Sequence, residues 1–359
     1  MLGRASILAY FALICISSIQ DTNAARLPEH MALRSSEYEP HTLMKKHGGE
    51  GTECDEKDFR KSMLKLIKEM PLIGLFDDIK NETKFEASGM TIAPYQDKQY
   101  DTDEWLWIVF DNLHALGRVD RHFEFASKKN MLVGHKPGEK DSQFEGITYV
   151  ESTGNFIVME EVRYHDEHDK LHPFTHELRL TADGTQYETL RVCPVHYELK
   201  HENKGFEGVH FQQRGEEGLL MGLCEGNHCW GGKRGRDAGH GRIVVAVSNG
   251  KHGEECGWDV LKTVEIPRTA FFTDYSGMAV RGNRIAIVSQ ENAALWIGTF
   301  DFEALEFTDE GRVFNFPRDN HCDIMYCNVE GVSWDRSGSC FRPCMAELSC
   351  CACRCNNGD

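Results

Sequence analysis

After its first twenty residues the chain lacks any apolar run long enough to cross a bilayer as a helix, which takes about 20 consecutive apolar residues, so a multi-span helical membrane protein is excluded. Positive charge is scarce: 40 Lys plus Arg stand against 57 Asp plus Glu, a net charge of −17 at pH 7. A phosphate backbone is a poor partner for such a surface, and nucleic acid is set aside. Cations, or nothing more than a solubilising acidic surface, are what this balance favours. Helical periodicity is missing after Met70, which excludes a helix bundle.

Three further signatures are absent. The cysteine-rich end, CFRPCMAELSCCACRC, matches no zinc spacing. His165, His168, His172 and His176 lack the helical spacing of a zinc protease and are expected in an exposed inter-strand loop. The glycine-rich loop from Cys224 to Arg242 carries Lys233, Arg234 and Arg236, but a strand-like run, Ile243 to Val247, follows it. A phosphate cradle needs a helix there.

What is abundant is cysteine, with 14 in 359 residues. Arg4, an apolar run from Ala5 to Ile19 and small residues around Ala24 have the layout of a secretory signal peptide. The mature chain is then exported, begins near Ala25 and has no membrane span. Cys15 leaves with the leader, and an odd number of cysteines enters an oxidising compartment where disulfides form. Eight of them lie between Cys322 and Cys355. Cys224 and Cys229 bracket a short loop and are a candidate pair. Asn81-Glu82-Thr83 is a glycosylation sequon, expected at the surface.

The chain also repeats itself. In NKGFEGVHFQQRGEEGLLMGLCEGN, Val209 to Phe211 and Leu219 to Leu223 are strand-like runs joined by a glycine-bearing turn, which predicts a hairpin. An acid marks each boundary, Glu207 before the first strand and Glu225 after the second, so both fall at one edge of the sheet. The same sentence is written around Gly89, Gly146, Gly208, Gly277 and Gly331, at intervals of 54 to 69 residues. Ser88, Glu145, Glu207, Ser276 or Glu330 precedes the glycine. The following strand ends on Asp111, Glu160-Glu161, Glu225 or Gln290-Glu291.

Five loose copies predict a repeat architecture whose units stack to bury their faces. About sixty residues hold some four strands with loops, the content of one propeller blade. Trp105 to Phe110, Ile157 to Met159, Leu219 to Leu223, Ile243 to Val247 and Ile285 to Val288 read as its strands. Asp55 to Met70 reads as a short helix, with a first strand around Leu72 to Phe76 as the other choice. The expected divisions are a leader over 1–24, a polar linker over 25–54, an all-β propeller over 55–335 and a cysteine-rich tail over 336–359.

NKGFEGV with its acid-ended strand resembles the phytase-like β-propeller family, often labelled "esterase-like activity of phytase". FEGITYVESTGNFIVMEE, DYSGMAVRGNRIAIVSQENAALWIG and NVEGVSW resemble its other blades, and the likeness spans roughly Phe85 to Asp335. The resemblance implies a β-propeller of six blades, the last incomplete, and a hydrolase of phosphate or carboxylic esters acting on a small-molecule ligand. The clustered acids and paired basic residues of the calcium phytases have no residue-by-residue counterpart in this chain.

Inner strands of a propeller converge on an axial channel. Glu145, Glu207 and Glu330 are expected to meet there, with Glu86 in a related place and Asp111, Glu161, Glu225 and Glu291 along the same rim. Crowded carboxylates raise one another's pKa unless a cation neutralises them, and calcium accepts flexible all-oxygen coordination. The competing expectation is mechanical: glutamates that accept backbone N–H groups from the next blade and lock the ring. Ser88 and Ser276 are then small-residue locks, since no histidine is assignable as their base. No catalytic residue is assigned. Closure of the ring is expected to come from Met63 to Phe76, paired with or packed beside Val329 to Trp334.

Overall fold

The computed structural model describes residues 10–15, 54, 57–72, 75–76, 86–94, 104–120, 130–134, 141–165, 170–202, 204–214, 217–249, 256–326, 328–334 and 341–345. Strands β1 (Tyr10–Cys15) and β2 (Lys65–Pro71) pair antiparallel, with helix α1 (Lys57–Ser62) between them in sequence. The helix expected over 55–70 is therefore short, and Lys65 begins a strand. The strand β1 falls within the expected leader, so a chain cleaved near Ala24 leaves β2 without this partner.

Four full antiparallel blades follow. The first is β3 (Ala87–Pro94), β4 (Glu104–Phe110), β5 (Leu113–Asp120) and β6 (Met131–Val133). The second is β7 (Phe144–Val150), β8 (Asn155–His165), β9 (Lys170–Leu180) and β10 (Tyr187–Pro194). The third is β11 (Phe206–Arg214), β12 (Glu217–Cys224), β13 (Arg242–Ser248) and β14 (Trp258–Glu265). The fourth is β15 (Gly277–Arg281), β16 (Arg284–Ser289) and β17 (Ala294–Asp301), with β18 (Glu306–Phe307) and β19 (Arg312–Asn315) both paired to β17. A two-stranded sheet, β20 (Val329–Trp334) with β21 (Phe341–Met345), comes last. The six blades implied by resemblance are corrected to four full blades and this short fifth sheet. Its second strand lies inside the segment expected to be a tail.

The innermost strands β3, β7, β11, β15 and β20 neighbour one another in that order, and β20 returns to β3. The marker glycines are where they come closest. A Cβ added to Gly89 would stand 2.5 Å from the Glu145 carbonyl oxygen. One on Gly146 would stand 2.7 Å from the backbone nitrogen of Val209, and one on Gly208 2.9 Å from that of Met278. On Gly277 it would collide with the Glu330 carbonyl. Each of these four marker glycines thus lets one inner strand touch the next at the equivalent step.

Apolar residues from facing sheets fill the gaps between blades. Trp105, Trp107 and Val109 pack with Phe144, Phe156 and Val158 between the first two blades. Met221, Ile243 and Tyr275 pack with Ile285, Ile287 and Trp296 between the third and fourth. Alternate residues of β4 serve different clusters: Leu106, Ile108 and Phe110 face the other way, into a cluster with Leu72, Leu75 and Phe76. This is the period of two of a strand buried on both faces. The Trp258 indole N–H donates to Thr175 Oγ1 at 2.8 Å, and a Cys193–Cys256 disulfide adds a covalent tie between β10 and the segment before β14.

The N-terminal segment spans the join between the last and first sheets. Leu64 N–H donates to the Asn315 carbonyl at 2.8 Å, and Asn315 Nδ2 donates to Ser62 Oγ at 3.0 Å. Leu64 and Leu66 pack with Phe314, Val329 and Val332, while Leu72, Leu75 and Phe76 join the first blade. Asn130 Nδ2 donates to the Leu75 carbonyl at 2.9 Å, and Cys54–Cys322 anchors the start of the segment. It closes the ring by packing beside β20 rather than by pairing with it.

Two substitutions test this architecture by urea unfolding. Gly146→Ala forces a methyl against backbone that cannot swing aside and should cost about 1–3 kcal/mol. Leu72→Ala empties a fully buried site in the closing segment and should cost about 2–5 kcal/mol. Leu261→Ala, on the exposed face of β14, is the control and should leave stability nearly unchanged; equal losses in all three would discount the ring and its clasp.

Candidate functional site

The acid–glycine step is a β-bulge. Phe206 pairs with Cys224 and Gly208 with Leu223, which leaves Glu207 outside the ladder. Phe144 with Glu160 and Gly146 with Met159 leave out Glu145 in the same way. Val329 with Met345 and Gly331 with Cys344 leave out Glu330. In β3 the skipped pair is Ser88-Gly89. A bulge re-aims the extra side chain; the fourth blade has none, and its register runs unbroken from Gly277 opposite Val288.

In the first three blades the far end of the hairpin is tied to the start of its first strand. Asp111 N–H donates to the Glu86 carbonyl at 2.9 Å, Glu161 N–H to Gln143 at 2.9 Å and Glu225 N–H to Gly205 at 3.1 Å. The acid that ends one strand is thereby held against the start of its partner. Carboxylate oxygens of Glu161, Glu207 and Glu225 lie within 4.8 Å of one another.

The electrostatics follow from crowding in a desolvated place. Burial first, then Glu330, Glu161, Asp111 and Glu225, push the Glu145 carboxyl well above its usual range. Burial and then Glu145, Glu225, Glu161 and Glu330 do the same to Glu207. Burial lifts Glu161 to about 7, although a hydrogen bond from Gly205 N–H to its Oε1 at 3.0 Å works the other way. Glu225 is raised chiefly by burial, against the pull of the Lys204 ammonium. Burial lowers Lys204, but Glu225, Glu207 and Glu161 more than offset it, so this lysine stays charged.

Glu145, Glu161, Glu207, Glu225, Glu330 and Asp111 are thus brought into one field. Glu291 stands at the exposed edge of that field: its charge raises Glu225, and its carboxylate accepts a hydrogen bond from Arg236 Nη2 at 2.8 Å. Asn81 lies outside the described residues. Ser276 Oγ donates to the Val329 carbonyl at 2.6 Å and ties the fourth blade to β20, the locking role expected of it. His172 and His176 are on strand β9 rather than in a loop, and His176 Nε2 lies 2.6 Å from Glu160 Oε2.

Sequence reasoning missed Lys204 and Asp274. Lys204 ion-pairs with Glu225, and its signal was in plain view, since only this copy has a lysine two residues before the aromatic. Burial lifts Asp274 to about 6 while Ser289 Oγ and the N–H groups of Gln290 and Glu291 donate to it. Further along the channel, away from the acids, the inner strands line a cavity of about 260 Å³ that includes His210. Burial pushes that imidazole down to about 4, so it is neutral at pH 7.

Such a site sets an unusual pH dependence. An ordinary glutamate titrates near 4.5, and Glu161 does so at about 7 in the folded chain. Between those values the folded state holds a proton that the unfolded state has released. The associated stability is complete below 4.5 and is lost as pH rises through 7. Metal-free protein should therefore have a higher urea midpoint at pH 5 than at pH 8, and Glu161→Gln should flatten the difference. A wild-type midpoint that rises over this range would contradict the crowded-acid picture.

No family model matches this chain, and no curated protein matches it. Among solved structures it is similar to the PQQ-bound aldose sugar dehydrogenase of Streptomyces coelicolor, with 11% identity over 72% of this chain and 93% of that one and a TM-score of 0.39. The soluble aldose sugar dehydrogenase of Escherichia coli gives 10% identity, 72% and 96% coverage and a TM-score of 0.37. A luciferin-regenerating enzyme gives 14% identity, 72% and 68% coverage and a TM-score of 0.33. At these scores the likenesses assign no activity, and the propeller rests on the chain's own sheets.

Proposed function

We propose that this chain is a secreted, phytase-like propeller that binds a divalent cation, calcium, in its axial acid cluster and hydrolyses phosphate or carboxylic esters there. The observation that carries the reading is the gathering of Glu161, Glu207 and Glu225 within 4.8 Å. Calcium–oxygen bonds of about 2.3–2.6 Å put any two ligands of one ion no more than about 5 Å apart. The donors are all oxygen, which suits a hard cation. Glu145 and Glu330 add charge to the same field.

Such an ion would supply charge neutralisation and polarisation of an ester or phosphoryl oxygen. The chain's own groups have separate parts. Lys204, charged and facing Glu225 and Glu207, is placed to hold an anionic oxygen of a substrate. Glu161, near 7 in the metal-free cluster, would ionise on ligating the cation, so its part is that of a ligand. The three disulfides among the described residues fit an oxidising compartment.

One contact favours a second reading, a binding or scaffold propeller without catalysis. Gly205 N–H donates to Glu161 Oε1 across the second and third blades, which is what a lock does. The two readings separate in one experiment. Melting is followed with calcium and with chelator, and generic phosphate and carboxylic esters are screened in parallel. The hydrolase reading expects calcium to raise the midpoint in wild type but not in Glu207→Gln, with ester turnover lost in chelator. Calcium stabilisation without turnover leaves the scaffold, and a melting curve indifferent to calcium removes the metal.

A further inference from the structure

A second polar group stands apart from the axial acids, on the loop between β12 and β13. His228, Asp237 and His240 each bring a ligand atom within 4.8 Å of the others. Asp237 Oδ2 is 3.1 Å from His228 Nε2 and 3.6 Å from His240 Nε2. The two imidazoles stack with centroids 4.3 Å apart and an interplanar angle of 21°. We propose that these three side chains form a binding site for a first-row divalent cation of the zinc type, with a fourth position open to water.

Distance is the first argument. Tetrahedral zinc with bonds of about 2.0–2.2 Å sets its ligand atoms about 3.3–3.5 Å apart. The two Asp237 separations, 3.1 and 3.6 Å, straddle that value. Donor chemistry is the second. Two imidazole nitrogens and one carboxylate suit zinc and its neighbours, whereas calcium takes oxygens. Three protein ligands also leave a coordination position for solvent. The Asp237 side chain is 61% exposed and those of His228 and His240 are 19% and 21% exposed, so an ion can reach them.

The scaffold beneath is built and rigid. Asn227 is fully buried, and its Nδ2 donates to the carbonyls of Gly235, Phe272 and Thr273 at 3.0, 3.2 and 2.9 Å. Its Oδ1 accepts from His240 N–H at 2.7 Å, and His228 N–H donates to the His240 carbonyl at 2.8 Å. The Cys224–Cys229 disulfide clamps the loop. His228 sits at φ 59°, a left-handed conformation that costs energy for a non-glycine residue and often marks a functional position. One group opposes the ion: Arg268 Nη2 lies 3.5 Å from His240 Nε2 and, being exposed, must swing away.

Zinc titration of the chelator-treated full chain, with cobalt absorption as a probe of tetrahedral coordination, tests the site independently of any hydrolase activity. Wild type should bind one zinc. His228→Asn, His240→Gln and Asp237→Asn should each weaken binding at least about tenfold, and Arg268→Ala should tighten it. Asparagine replaces His228 because it tolerates the left-handed backbone. Melting in chelator verifies folding, and Asp237→Asn, an exposed change, is the variant that keeps the test valid if a histidine variant misfolds. Zinc affinity should survive Glu207→Gln. The proposal is overturned if wild type gives neither zinc heat nor a cobalt band, if the three loop variants bind as wild type does, or if only Glu207→Gln loses the ion.

Discussion

The closeness of the five inner strands is the constraint on which the rest depends. A Cβ at Gly89, Gly146, Gly208 or Gly277 would press into the backbone of the next strand around the axis. Backbone cannot rotate aside as a side chain can, so the ring can be this narrow only if those positions carry no side chain. Everything else in the repeat is arranged about that contact. The glutamates before Gly146, Gly208 and Gly331 are pushed out of the ladder as bulges, and in the first three blades the returning strand is tied by its terminal N–H to the start of the first.

The narrow ring makes acids expensive. Each bulge turns its extra residue toward one end of the channel, and three of those residues are glutamates. With Glu161, Glu225 and Asp111 they outnumber the ammonium of Lys204, the one cation set among them by the described residues. In water such groups would all ionise; in this desolvated ring they cannot, and their proton affinity rises. Where the acid is replaced by serine, as at Ser276, the hydroxyl satisfies a neighbouring carbonyl and no charge arises. The contrast shows that the ring can be locked without carboxylates, so the glutamates carry a cost that locking alone does not require.

Closure draws on distant parts of the chain. The fifth sheet has two strands, too few to cover the faces of its neighbours. Leu64 and Leu66 cover one side and Leu72, Leu75 and Phe76 the other, so a single segment before the first blade bridges both. The Cys54–Cys322 disulfide joins residues 268 apart in sequence at the same place. A cross-link over so long a loop constrains the unfolded chain strongly.

The sequence by itself determined the elements whose cause is local. Alternation and turn chemistry placed the hairpins, glycine markers placed the inner strands, and the acids at strand boundaries followed from the pairing of hairpin ends. The short Cys224–Cys229 spacing was legible for the same reason. The number of blades was not, because resemblance implied six whereas the five markers correspond to five inner strands. Nor was the grouping of Lys204 and Asp274 with the acids, or of His228 with Asp237 and His240. His228, Asp237 and His240 meet over the buried Asn227, which gathers carbonyls from two separate loops. Local pattern encodes which face a residue takes; which charges share a desolvated space is decided by packing between blades, and that exists only once the ring has closed.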